Sequence, residues 1–195
     1  ALLRMEDNRQ TPALGALAVT GATGGVGSLA IAIFAKAGYE VHAISGKTDQ
    51  AAYLKSLGAS AVLGRDALST TRPMDTARFG GGLDNVGGPM LAALLAQTAP
   101  YGNVATAGLA ASHELHATVM PFIIRGVSLL GVASAGTARD LRDEVWRRLS
   151  SDWKPVGLDA ICTRETGLDG LPAVFDTMLA GGSLGRTVVR LAEST

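Results

Sequence analysis

The chain's 195 residues predict an α/β fold, a doubly wound six-stranded parallel sheet with helices on both faces. Three observations carry that prediction. Short apolar runs alternate with helical stretches along most of the chain. Hydrophobic residues make up 47 % but aromatics only 5 %, so Val, Leu, Ile and Ala must fill a sheet buried on both faces. A glycine-rich stretch, Val19-Thr-Gly-Ala-Thr-Gly-Gly-Val-Gly27, lies between an apolar strand and an apolar helix.

The elements follow in order. Ala1 to Met5 reads as the end of a helix, broken by Thr11-Pro12. Leu14 to Thr20 is the first strand and Gly25 to Ala37 the first long helix, stopped by Gly38. Glu40 to Ser45 is the second strand. Thr48 or Asp49 can cap a helix over Gln50 to Leu57, ended by Gly58, and Ala61 to Gly64 is a short third strand. Asp66 to Arg78 is polar and weakly patterned. Leu83 to Val86 reads as a brief fourth strand, closed by Gly87-Gly88, with Pro89 placed to open a helix through Gln97. Gly102 to Ala107 is the fifth strand. A helical piece at Pro121 to Arg125 precedes a sixth at Ser128 to Ser134, and Arg139 to Ser150 is a charged amphipathic helix. Residues 1–155 therefore hold the sheet. Residues 156–195 change character: strand Leu158 to Thr163, helix Leu171 to Leu179, turn Gly181-Gly182 and strand Arg186 to Leu191 are surplus to a six-stranded unit.

Strand, glycine turn and helix in this order make the Rossmann-type site for a dinucleotide. Gly24 can supply the tight turn, Gly25 lets the backbone approach a pyrophosphate, and Gly27 lets the helix pack closely, while free helix N–H groups face the anion. Ala22 stands where the three-glycine form has its first glycine. An NAD site commonly ends its second strand on Asp or Glu; here that place is Ser45-Gly46-Lys47. Ser45 can donate a hydrogen bond, and Lys47 and Arg65 can supply charge to a 2′-phosphate, which points to NADP(H). Phosphate binding is the favoured reading, and the alternative is that both cations are solvated loop residues.

Composition excludes other classes. Seventeen basic residues balance seventeen acidic ones, and no aromatic-basic interleaving marks a nucleic-acid platform. One cysteine, Cys162, allows no internal disulfide and fits a cytoplasmic compartment. No apolar run of about 18 residues predicts a membrane span. Asp84 is expected to fix the turn that follows it, and His42 to be a packed sheet residue. His113 and His116 lack a third ligand for zinc, and Cys162 lacks an activating neighbour, so no metal is expected.

The glycine turn also satisfies the Thr-Gly-x-x-x-Gly-x-Gly pattern of the short-chain dehydrogenases. Their Tyr-x-x-x-Lys pair is absent, because Tyr39, Tyr53 and Tyr101 are followed four residues later by Ala43, Leu57 and Ala105. The chain instead resembles the nucleotide-binding domain of the medium-chain dehydrogenase/reductase superfamily, in its zinc-independent quinone oxidoreductase-like and acryloyl-CoA reductase branch. The likeness is carried by the glycine turn, by Ser45-Gly46-Lys47 with Tyr53-Leu-Lys-Ser-Leu-Gly-Ala59, and by Leu83-Asp-Asn-Val-Gly-Gly88. Met120-Pro-Phe-Ile-Ile-Arg-Gly126 with Leu130-Gly-Val-Ala-Ser134, and the final Gly185-Arg-Thr-Val-Val-Arg-Leu191, extend it. The resemblance implies that residues 156–195 return to a GroES-like catalytic domain that this stretch lacks. It implies a reductase passing hydride from NADPH to an activated double bond, of acryloyl-CoA or a related enone, or to a quinone. Thr23, Gly24, Gly25 and Val26 would cradle the pyrophosphate, Ser45, Lys47 and Arg65 the 2′-phosphate, and Gly108 and Leu109 would lie beside the nicotinamide ribose. Asn85 stands at a further ribose position where relatives often have Thr or Val. No catalytic acid is named in this stretch. Relatives often join two copies through the sixth strand, which implies a homodimer. The alternative is a nucleotide-binding regulatory or structural protein without reductase activity.

Overall fold

The computed structural model describes residues 1–191. Six strands form the main sheet: β1 (Leu17–Thr20), β2 (Val41–Ile44), β3 (Ala61–Leu63), β4 (Phe79–Asp84), β5 (Thr98–Thr106) and β6 (Ser128–Gly131). All neighbours are parallel, in the order β3-β2-β1-β4-β5-β6. The order reverses between β1 and β4, and such a switch point opens a crevice beyond the carboxyl ends of those strands. Alternation along the strands divides the core into two layers. Leu17 and Val19 face helices α1 (Leu2–Asp7), α2 (Gly25–Lys36) and α3 (Ala51–Ser56), where Met5, Phe34, Leu54 and Trp153 pack. Ala18, Ile44 and Val104 face the opposite way, toward Leu91, Leu94 and Leu95 of α4 (Gly88–Ala96).

Helices α5 (Met120–Arg125) and α6 (Arg139–Leu149) flank β6, and Arg148 of α6 lies 3.8 Å over the Trp153 ring while pairing with Asp152 at 2.7 Å. The last elements, β7 (Cys162–Gly167), α7 (Leu171–Leu179) and β8 (Arg186–Arg190), build a separate parallel pair. Among the described residues no helix is long and apolar enough to cross a membrane.

Several boundaries differ from expectation, each for a local reason. Strand β1 starts at Leu17 rather than Leu14, because Pro12–Leu14 winds into a 3-10 turn and Gly15 at φ +112° redirects the chain. Strand β4 begins at Phe79, not Leu83, and runs through Gly80-Gly81-Gly82. Those glycines are required by close approach: a Cβ on Gly82 would sit 2.5 Å from the Ala18 carbonyl oxygen, and one on Gly80 would sit 2.6 Å from the Leu14 carbonyl. Strand β5 starts earlier, at Thr98, and β6 stops at Gly131 rather than Ser134, with one more rung from Val132 N–H to the Thr106 carbonyl. Leu158–Ile161 is a 3-10 turn, so β7 lies over 162–167 instead of 158–163. Neither Thr48 nor Asp49 caps α3, which follows a 3-10 turn and starts without a side-chain cap bond.

The rim of the sheet opposite the crevice is joined by buried amides. Gln10 donates from Nε2 to the Gly80 carbonyl at 3.0 Å, and its Oε1 accepts from Asn103 N–H and Nδ2, both at 3.0 Å. The β4–β5 register shifts at this point, from Phe79 opposite Thr98 to Gly81 opposite Asn103.

Candidate functional site

The crevice is built on the turn between β1 and α2. Gly21, at φ +59°, makes the sharp bend assigned above to Gly24; Gly24 is extended and serves as the N-cap of α2. Gly24 N–H closes the turn onto the Gly21 carbonyl at 3.0 Å. Gly27 sits so tightly that a Cβ would lie 2.7 Å from Ala22 Cα, so its packing partner is the turn itself. No side chain caps α2, so its first N–H groups have no side-chain acceptor from a cap. At the end of a 12-residue helix this is a cradle for an anion. Thr23 is buried, Gly24 and Gly25 are half-buried, and Val26 is exposed.

Three cations converge on this rim. Arg65, first in the 3-10 turn after β3, lies against Gly46, and Lys47 reaches across to donate to the Ser183 carbonyl. Arg186, at the start of β8, covers Gly25, where a Cβ would stand 2.7 Å from its Cδ. Ser45 is buried between them; its hydroxyl accepts from Lys47 N–H at 3.0 Å and lies 3.4 Å from the Thr23 hydroxyl. Accepting that bond leaves the Ser45 proton available for donation. Glu40, the acid nearest in sequence to the second strand, lies before β2 and pairs with His42 at 2.8 Å. Free helix N–H groups, three cations and no carboxylate at the end of β2 fit a dinucleotide bearing a 2′-phosphate.

The second wall comes from the ends of β4 and β5. Asp84 is fully buried and accepts from the Thr20 hydroxyl and from Gly87 N–H, both at 2.8 Å. Burial is the main cause that pushes its carboxyl above the ordinary aspartate range, with hydrogen bonds from Thr20, Gly87 N–H and Val86 N–H opposing it. Its role is to hold the turn before α4. Asn85 points its amide back to the Thr20 carbonyl at 2.8 Å. Gly108 packs on the backbone of Asn85, where a Cβ would come within 2.9 Å of Asn85 Cα, and Leu109 beside it is exposed. Thr23, Ser45, Lys47 and Arg65 thus form one cluster, with Asn85, Gly108 and Leu109 on the neighbouring strand ends.

Arg186 was not legible as a site residue: an arginine opening a distant strand carries no local sign that it folds back onto the glycine turn. The remaining candidates have structural surroundings. His42 packs edge-on against Phe79, His116 is exposed beside Glu114, and Cys162 points to the Arg164 carbonyl at 3.7 Å. Among the described residues no three His, Cys, Asp or Glu side chains gather as a metal site would require.

The model of the family described as zinc-binding dehydrogenase matches residues 25–151, well over half of the chain. Acrylyl-CoA reductase AcuI of Ruegeria pomeroyi is 42 % identical over 191 residues, covering 97 % of this chain and 58 % of the relative. The Bacillus subtilis protein YhfP, whose crystal structure has NAD bound, superposes with a TM-score of 0.92 at 42 % identity, over 97 % of this chain and 58 % of that one. Escherichia coli YhdH, solved with bound NADPH, gives a TM-score of 0.93 at 41 % identity, over 98 % and 59 %. The chain thus spans a little under three fifths of the length of these relatives. The likeness covers the six-stranded sheet, the glycine turn and the β7–β8 segment together, and the chain belongs to the zinc-binding dehydrogenase family, as a nucleotide-binding domain of the quinone oxidoreductase-like and acrylyl-CoA reductase branch of the medium-chain dehydrogenase/reductase superfamily.

Proposed function

We propose that this chain is the cofactor-binding part of an NADPH-dependent reductase acting on an activated double bond, with a CoA thioester of the acryloyl type as the favoured substrate class. The observation that carries the cofactor choice is the placement of Lys47 and Arg65 around Ser45-Gly46 at the end of β2, where a carboxylate would be needed to favour NADH. Relatives solved with NAD and with NADPH leave that choice to this chain's own residues. The substrate class rests on the acrylyl-CoA reductase relatives.

The bound nicotinamide would supply the hydride. The residues of this chain bind and orient: the α2 N-terminus and Arg186 hold the pyrophosphate, Ser45, Lys47 and Arg65 the 2′-phosphate, and Asn85, Gly108 and Leu109 flank the nicotinamide ribose. Positioning of this kind converts an encounter into a unimolecular step, and the chemistry itself remains the cofactor's. Residues 1–155 serve as the cofactor domain, and 156–195 as a segment returning to a catalytic domain; 192–195 lie outside the described residues. A cytoplasmic location agrees with the single cysteine.

Direct titration tests this reading. NADPH is expected to bind at least about tenfold more tightly than NADH, a difference of about 1.4 kcal/mol. Equal dissociation constants would overturn the cofactor assignment, and NADPH oxidation dependent on acryloyl-CoA by the protein carrying both domains tests the substrate class.

A further inference from the structure

The stretch that joins α7 to β8, with the first residue of β8, meets the glycine turn and the loop after β2 at three places. Lys47 donates to the Ser183 carbonyl, Gly185 N–H donates to the Thr23 carbonyl at 2.8 Å, and Arg186 covers Gly25. Gly185 has φ +55°, and a Cβ there would stand 2.9 Å from the Tyr53 hydroxyl and 2.8 Å from a Thr163 methyl, so this crossing admits little besides glycine. The Tyr53 hydroxyl in turn donates to Ser28 Oγ, on the first turn of α2, at 2.9 Å.

A lysine is a point charge on a flexible stem, and its selectivity depends on where that stem is held. The ammonium has three N–H donors; one engaged by Ser183 aims the group and leaves two for phosphate oxygens. We infer that the Ser183 carbonyl is a positioning group for Lys47, so that the β7–β8 segment takes part in selecting the 2′-phosphate, and the 2′-phosphate in turn holds that segment against the glycine turn. The inference rests on the reading of NADPH as the cofactor. The coupling is reciprocal by linkage: whatever the segment adds to NADPH binding, NADPH adds to the segment's order.

Amide hydrogen exchange over residues 183–190, with saturating NADPH and with saturating NADH, reads the coupling directly. NADPH is expected to slow exchange about fivefold more than NADH, the low end for linked sites. Lys47→Met is expected to remove the difference, whereas Arg65→Met, which deletes a cation lying on Gly46 instead, keeps it at saturation. A second variant, Gly185→Val, displaces the crossing; losing Arg186 from the pyrophosphate weakens both cofactors alike and cancels in their ratio, so the NADPH-to-NADH affinity ratio is expected to fall about fivefold. Equal protection by the two cofactors, a difference that survives Lys47→Met or vanishes in Arg65→Met, or an unchanged ratio in Gly185→Val each overturns the inference. Failure to bind either dinucleotide overturns the proposed function as well, while preference for NADPH without these effects overturns only the role of Ser183.

Discussion

The Arg65 guanidinium lies against Gly46, close enough that a Cβ at position 46 would stand 2.8 Å from Cζ. Its position is thus set by an absent side chain on the neighbouring strand end. The obstructing atoms belong to the flexible end of an arginine, so Gly46→Ala is expected to leave the fold intact and push the guanidinium aside. NADPH affinity should fall severalfold with NADH affinity unchanged, as measured by titration calorimetry; equal losses for both cofactors would place Arg65 away from the 2′-phosphate.

Gly25→Val tests the pyrophosphate position. The new side chain would collide with Arg186, whose Cζ a Cβ there would meet at 2.8 Å, and would push both that cation and an anion away from the helix N-terminus. NADPH affinity is expected to fall by more than about tenfold, equivalent to over 1.4 kcal/mol, with helical circular dichroism unchanged. Retained affinity in a folded variant would make this turn purely structural.

Asp84→Ala should act on stability. It leaves Gly87 N–H and the Thr20 hydroxyl without their buried acceptor, a loss of about 2 kcal/mol or more by the usual cost of unmade hydrogen bonds. Denaturant unfolding measures it, and a change under about 0.5 kcal/mol, the range of ordinary surface substitutions, would contradict the role given to this residue.

The turns and strand ends that build the candidate rim were legible because each signal is local. The β1–α2 glycine turn follows from residue type and spacing, Gly38 and Gly58 end their helices at φ +89° and +109°, and Ser45-Gly46-Lys47 occupies the strand end where a selecting carboxylate would stand. What escaped depends on neighbours distant in sequence. Gly80-Gly81-Gly82 has no strand propensity and becomes strand only because β1, β5 and α4 crowd it from three sides. Arg186 reaches the site through tertiary packing, and the choice of Gly21 over Gly24 for the bend is a matter of backbone angle that glycine spacing alone leaves open.

Alkaline pH should single out Tyr39. Burial, and next the neighbouring Glu6 carboxylate, push its hydroxyl up to about 12 from an ordinary value of 10.0. The folded chain therefore holds this proton more tightly than the unfolded one, so the stabilisation is complete below pH 10.0 and is lost as pH rises toward 12. The stability advantage of the natural chain over Tyr39→Phe, which also lacks the 3.0 Å bond to the Gln10 carbonyl, is expected to shrink across that window in urea titrations. A gap constant with pH would mean that Tyr39 titrates normally.

Self-association is proposed through β6, the outermost strand at its end of the sheet. Its length ends at Gly131, whose carbonyl accepts from Arg4. An edge with unpaired backbone groups invites a second strand, and two-fold symmetry would set it against its own copy. Sedimentation at micromolar concentration is expected to show a dimer that Leu130→Lys weakens, with a melting curve confirming that the variant is folded. A monomer throughout would defeat the proposal, and a dimer indifferent to Leu130→Lys would place the contact elsewhere.

Gln10 behaves as a borrowed peptide group. Its amide offers one donor and one acceptor in the gap where the β4–β5 ladder loses step, receiving Asn103 N–H and giving to the Gly80 carbonyl as a backbone rung would. The rungs that align Leu83 with Ala105 and Asp84 with Thr106 therefore start beside a loop side chain that precedes the first strand. A slip of one residue would turn β4 over and carry Asp84 away from the Thr20 hydroxyl on β1. A glutamine at the opposite rim of the sheet, which never approaches the crevice, thus closes the break from which its strand ends are counted.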